Sequence, residues 1–292
     1  MSASSALGLP LTAGALPGLG ALAAWPPGLW WPETGVEPWL VALLLLGGFA
    51  AGWIDAVVGG GGLIQLTLVL MLPGITPVQA LAVNKCGSVC GTAVSTVTFH
   101  RRTPARIRPA LPMAAVAFAG SFGGASLAAA LPTAVFKPVI LAALVGVLIF
   151  TVARPQAGRV SRPERSAAAQ AWISVGIGLV LGAYDGLLGP GTGSFLIIAM
   201  VTLLGFDFLR ASARAKVTNL ATNLGAICFF ALHGSILWGL GLLLGAGNML
   251  GGLLGARSAV ARGSGFVRAV FLAVVTVLIL KTGWDVIREI SA

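Results

Sequence analysis

The chain has 292 residues, of which 57% are apolar and only 9% charged, with a mean hydropathy of +0.97 and a formal net charge of +10. Soluble domains carry about 25% charged residues, so this chain lacks the polar groups to cover a water-facing surface. It reads as an all-α integral membrane protein. Long, non-alternating apolar runs exclude a transmembrane barrel, and little chain remains for a separate soluble domain.

In chain order, residues 1–37 form an N-terminal tail without Lys or Arg. It lacks the basic start of a signal peptide, and its "WPPGLWWPE" suggests an interfacial aromatic anchor. Apolar segments follow at 38–58, 63–73, 78–99, 110–131 and 136–153, which together make membrane repeat 1 (38–153). A basic linker, 154–168, leads to membrane repeat 2 (169–290), with segments at 171–188, 194–205, 211–232, 236–257 and 266–287.

The second set copies the first. "GWIDAVVGGGGLIQ" with Asp55 corresponds to "GAYDGLLGPGTGSFL" with Asp185, and "AVNKCGSVCGT" with Lys85 to "RAKVTNLATNL" with Lys216. "AGSFGGASLA" corresponds to "AGNMLGGLLGA". Duplication of this kind is common in secondary transporters, with the site at the repeat interface.

Charge places the chain in the membrane. The basic clusters Arg101, Arg102, Arg106, Arg108 and Arg154, Arg159, Arg162, Arg165 are not interleaved with aromatics. That argues against a nucleic-acid surface and for cytoplasmic loops. If 38–73 and 171–205 were ordinary spans, the loop with Arg257, Arg262 and Arg268 would face the other side. If the chain instead reverses at each glycine cluster, all these loops share one face. The halves are then inverted repeats, each a glycine-broken helical hairpin plus about three transmembrane helices, or about eight spans in conventional counting. The basic loops are expected in the cytoplasm and both termini outside.

Segments 63–73 and 194–205 are only about half a bilayer core long at 1.5 Å per residue. Bare amides after a break can hold an anion, so Gly60, Gly61, Gly191 and Thr192 are candidate substrate contacts. On the following segments Lys85, Ser88 and Thr92 share one helical face, as do Lys216, Asn219 and Asn223, with Asn84 beside the first set. The lysines would attract an anion and the amides bind its oxygens. Snorkelling lysines, or lysine–aspartate pairing, are the structural alternatives. Asp55 and Asp185 are buried acids suited to proton or cation coupling, or to gating; tying the glycine turn together is the other reading.

Cys86, Cys90 and Cys228 are read as packing residues, and two His in the chain give no zinc spacing. His100 and His233 close corresponding helices. Gly120/Gly124 and Gly247/Gly251 have the small-xxx-small spacing of close helix pairs, with Ser121 and Asn248 beside them. No metal and no cofactor is expected, and no Walker lysine follows the glycines.

At these residues the chain resembles a known family. "GFAAGWIDAVVGGGGLI", "ALAVNK", "GAYDGLLGPGTGSFL", "FLRASARAKVTNLATNLGAI" and "GAGNMLGGLLGAR" look like the TauE/SafE permeases, the sulfite exporters, over about residues 40–287. The resemblance implies a permease of the bacterial cytoplasmic (inner) membrane. It would export a small inorganic or organosulfur anion such as sulfite or sulfoacetate, with proton or sodium coupling. The lipid bilayer is then a partner and nucleic acid is not. The alternatives are a passive anion channel and, remotely, an intramembrane aspartyl protease using Asp55 and Asp185; otherwise no enzyme activity is expected.

Overall fold

In the computed structural model the described residues are 30–32, 38–102, 108–128 and 166–291. The tail, apart from Trp30 to Pro32, the segment expected at 136–153 and most of the basic linker lie outside them. The described residues form helices and no strands. They are α1 (Pro38–Val58), α2 (Gly62–Leu70), α3 (Pro77–Arg102), a 3-10 turn (Arg108–Ala110), α4 (Leu111–Ala128), α5 (Ala167–Leu187), α6 (Thr192–Leu203), α7 (Phe208–Leu232) and α8 (Trp238–Ser291). α8 is broken at Gly263, where φ is 73°, between the expected segments 236–257 and 266–287.

Four stretches among the described residues are long and apolar enough to cross a membrane: Trp39–Val58, Leu111–Ala128, Phe208–Leu232 and Trp238–Val277. α3 has 26 residues, about 39 Å at 1.5 Å per residue, and is long enough as well. Its hydropathy is low because Asn84, Lys85, Thr92, Ser95, Thr96 and Thr98 are buried inside the bundle instead of facing lipid. Lipid-side positions such as Leu46, Trp172, Val180 and Leu250 are exposed and apolar, the outward greasiness of a membrane protein.

Each glycine cluster turns the chain back on itself. A Cβ at Gly61 would meet the Ala51 carbonyl, and one at Gly47 would meet Leu68, so α2 lies antiparallel against α1. With nine residues, α2 is about 14 Å long. In the second half, Tyr184 of α5 stacks edge-on to Phe195 of α6, and its hydroxyl donates to the Pro190 carbonyl at 2.9 Å. The two reversals touch. A Cβ on Gly59 would lie 2.2 Å from the Gly193 carbonyl carbon, and the Ser194 amide donates to Gly59 O at 3.3 Å. Gly59 also has φ of +80°, so the junction needs glycine for both torsion and space.

Glycine stripes set the long contacts. Cβ atoms on Gly247, Gly251 and Gly255 of α8 would meet the carbonyls of Leu45, Phe49 and Trp53 of α1. On α5, Gly178, Gly182 and Gly186 meet the carbonyls of Met113, Ala117 and Ser121 of α4 in the same way. Both series advance together, so α1 runs parallel to α8 and α4 parallel to α5. The expected small-xxx-small packing at Gly120/Gly124 and Gly247/Gly251 is present; each lies against the neighbouring helix backbone. Helices of one half therefore pack mainly on the other half. α3 packs on α8 as α7 packs on α4, and α3 and α7 meet each other where Asn223 Nδ2 donates to Thr92 Oγ1 at 3.5 Å.

Cys86 and Cys90 pack against Gly241 and Gly245 of α8. Cys228 is exposed, which corrects its expected packing role: its position on α7 points away from the bundle.

Candidate functional site

Where the two reversals touch, α1 and α5 end and α2 and α6 begin. A helix C-terminus carries partial negative charge and attracts cations. Lys216 of α7 meets the end of α1: its ammonium lies 2.9 Å from Asp55 Oδ2 and also donates to the Asp55 carbonyl. Lys85 of α3 sits at the end of α5, 2.7 Å from Asp185 Oδ2. A Cβ on Gly189 would approach its Nζ to 3.0 Å. The pairing is crossed. Each half supplies the lysine for the other half's aspartate.

All four charged groups are buried. Taking one ion out of water costs several kcal/mol, so each pair persists only because partner and hydrogen bonds offset that cost. The lysine–aspartate pairing considered as a structural alternative is therefore present. It does not exhaust the site, because the pairs border a polar cavity. Asp55, Lys85 and Asp185 line it with Asn84, Ser88, Asn219 and Asn223. Gly59, Gly62, Gly189, Gly191 and Gly193 complete the lining. Among the described residues, the amides of Gly62, Gly191 and Gly193 make no hydrogen bond in the turns that surround them. The space is about 10 Å³, room for one water at most. The cavity is narrow.

The structure gathers eight expected site residues at this cavity: Asp55, Asn84, Lys85, Ser88, Asp185, Gly191, Asn219 and Asn223. Lys216 stands behind Asp55 and reaches the cavity through it. Thr92 lies deeper, donating to the Ser88 carbonyl at 2.9 Å. Thr192 donates to Gly189 O at 2.8 Å, and so braces the second turn. Gly60 is buried outside the lining, and Gly61 packs on Ala51. Ser121 donates to the Thr222 carbonyl at 2.7 Å, and Asn248 lies against Gly52 and Gly91; both hold helices together. His233 stacks on Phe229 at 4.1 Å, its Nδ1 2.8 Å from the Phe229 carbonyl.

Residue reading missed Gln65. It is fully buried in α2 and its Oε1 accepts from Ser88 Oγ at 2.8 Å, while its Nε2 has no partner. The Asn84 Oδ1 is also without one. A lone amide inside "GGGGLIQLTL" was the available signal. Reading also missed Ser194 and Ser212, whose hydroxyls donate to Val58 O at 2.8 Å and Val57 O at 3.4 Å. They cap the end of α1 from the other half.

Comparison with known proteins decides the family. The family model described as Sulfite exporter TauE/SafE matches residues 44–282. The chain belongs to the TauE/SafE family. It is 35% identical over 242 residues to the probable membrane transporter protein ORF9 of a Sinorhizobium species, covering 83% of this chain and 92% of that protein. It is 34% identical over 255 residues to a probable membrane transporter protein of Haemophilus influenzae, covering 87% and 97%. It is 32% identical over 250 residues to the probable membrane transporter protein YfcA of Escherichia coli, covering 86% and 92%. No solved structure matches. Family and apolar helices together make the chain an integral protein of a membrane transporter family.

Proposed function

We propose that this TauE/SafE protein is a secondary transporter that exports a small sulfur oxyanion, such as sulfite or sulfoacetate, across the bacterial inner membrane. The observation that carries this reading is the pair of crossed ion pairs around a narrow polar cavity at the meeting of the two glycine turns. The four charges sum to zero, and unused amides, two half-helix N-termini and side-chain amides face the same point. Those are anion-binding elements. The carboxylates hold the lysines as internal counter-ions, so an entering anion must displace one. Protonation of that aspartate leaves its lysine free for the anion. Proton coupling follows from this exchange, and sodium at the carboxylate is the outcome that would replace it.

The arrangement supports alternating access by inverted repeats. The parallel contact of α1 with α8 is repeated by that of α5 with α4, as a two-fold relation between the halves gives. The basic loops then lie on the cytoplasmic side and the termini outside. Lys85 faces the cavity while Lys216 is screened by Asp55; in the opposite-facing state the two pairs exchange these roles. A cavity too narrow for the anion favours this reading over a passive channel. Each aspartate is committed to a lysine, unlike hydrolytic aspartates that share one proton.

The test is efflux of sulfite from membrane vesicles carrying Lys85→Met with Asp185→Leu. This double variant removes both charges of one pair, so it inserts and folds without an orphaned ion. Efflux is expected to fall at least about a hundredfold, as loss of charge-assisted contacts worth about 3 kcal/mol implies. Unchanged efflux would show the pair to be structural only.

A further inference from the structure

A second groove has no part in the central site. It lies between the Arg101 end of α3 and the middle of α8, and encloses about 440 Å³, within the roughly 300–1,000 Å³ of small-molecule sites. Its rim carries Arg101, Arg102 and Arg257, and its wall includes Val94, Val97 and Leu253. Among the described residues no carboxylate pairs with these three guanidinium groups. The C-terminus of α3 accounts for cations at Arg101 and Arg102. It does not account for Arg257, which stands inside α8, ahead of the break at Gly263.

The apolar wall continues from the rim toward the bilayer. Val97 and Val94 precede Arg101 by one and two helical turns on one face of α3, and Val97 is 48% exposed. The groove thus offers clustered positive charge at one end and an aliphatic trough at the other. That polarity is the complement of an anionic amphiphile. A free phosphate would use the rim and leave the trough uncovered.

We propose that this groove binds an anionic phospholipid, its phosphodiester against Arg101, Arg102 and Arg257 and one acyl chain along Val94, Val97 and Leu253. The site needs only the membrane-embedded fold, so its fate is independent of the transported substrate. The experiment is native mass spectrometry of the purified full chain titrated with phosphatidylglycerol, or with phosphatidylcholine of the same acyl chains. Free glycerol phosphate is added as a competitor.

Phosphatidylglycerol is expected to bind at least about tenfold more tightly, and glycerol phosphate not to displace it. Arg101→Gln with Arg257→Gln should weaken phosphatidylglycerol about thirtyfold, from about 1 kcal/mol per surface cation. Val97→Trp fills the trough and keeps every charge, so it should weaken the same lipid even if the arginine variant inserts poorly. Equal binding of the two lipids, no effect of Val97→Trp, or displacement by glycerol phosphate would each overturn the proposal.

Discussion

Lys85 and Lys216 have a structural role in the fold and, in the proposed transport mechanism, a second role at the substrate. Each ammonium holds a buried carboxylate from the other half, and each interrupts an otherwise apolar interior. Removing one partner alone leaves a buried charge, at a cost of about 3–5 kcal/mol. Lys85→Met is therefore expected to lower the thermal midpoint in detergent, and adding Asp185→Leu to restore most of it. Recovery of stability without recovery of transport separates the two roles; recovery of both would assign the pair to packing. Asp185→Asn bears on coupling. It replaces the carboxylate with an amide of the same shape, and on the proposed mechanism should abolish the response of sulfite efflux to an imposed pH gradient, read with an internal pH dye. A response as large as wild type would move coupling elsewhere. These residues were legible in the sequence because charge is rare in this chain and each occurs twice in register. Their crossing was not legible, since periodicity places a side chain on a helix face but does not say which helix it meets. Gln65 was lost for a related reason: its counterpart in the second half is apolar, so duplication gave no warning.

At the scale of elements, glycine does two different jobs. In the long helices it lets backbones approach, as at Gly52, where a Cβ would lie 2.2 Å from the Asn248 carbonyl oxygen. At the reversals it supplies torsion as well. Gly59→Ala is expected to destabilise by about 2–5 kcal/mol, combining a left-handed residue with overpacking on Gly193. Gly123→Ala on α4 is the control, because nothing lies within 4 Å of the new methyl. It should leave the melting midpoint unchanged or raise it slightly, by about 0.5–1 kcal/mol. Equal losses in both variants would mean that helix propensity, not the junction, sets the cost. The half-length helices α2 and α6 could be read from the run lengths between glycines and prolines. The break at Gly263 in α8 was legible too, since it falls between the segments read at 236–257 and 266–287; that the chain stays helical on both sides of it, through Arg257 and Arg268, was not.

For the whole molecule, the charge asymmetry suggests inverted halves, and the helix contacts join the halves through two equivalent parallel pairs. Residues paired along α1 and α8 rise together, as do those along α4 and α5. Topology then has a direct consequence. Single cysteines replacing Arg162 and Arg262 in a cysteine-free background should both be modified from the cytoplasmic side by a membrane-impermeant maleimide. Labelling from opposite sides would rule out the inverted arrangement. Composition alone excluded a soluble protein, and the duplicated motifs supplied most of the side chains that line the central cavity; neither could reveal how narrow that cavity is, since its width depends on the distance between the halves.

The most direct test of the central claim is counterflow in proteoliposomes containing the purified protein, with labelled sulfite outside and unlabelled sulfite, sulfate, thiosulfate or sulfoacetate inside. Sulfite or sulfoacetate inside should drive transient accumulation of label in the wild type, and none in the Lys85→Met, Asp185→Leu protein. Accumulation that persists in the double variant, or none with any of the four anions, would contradict the assignment of the crossed ion pairs as the transport site for a sulfur oxyanion.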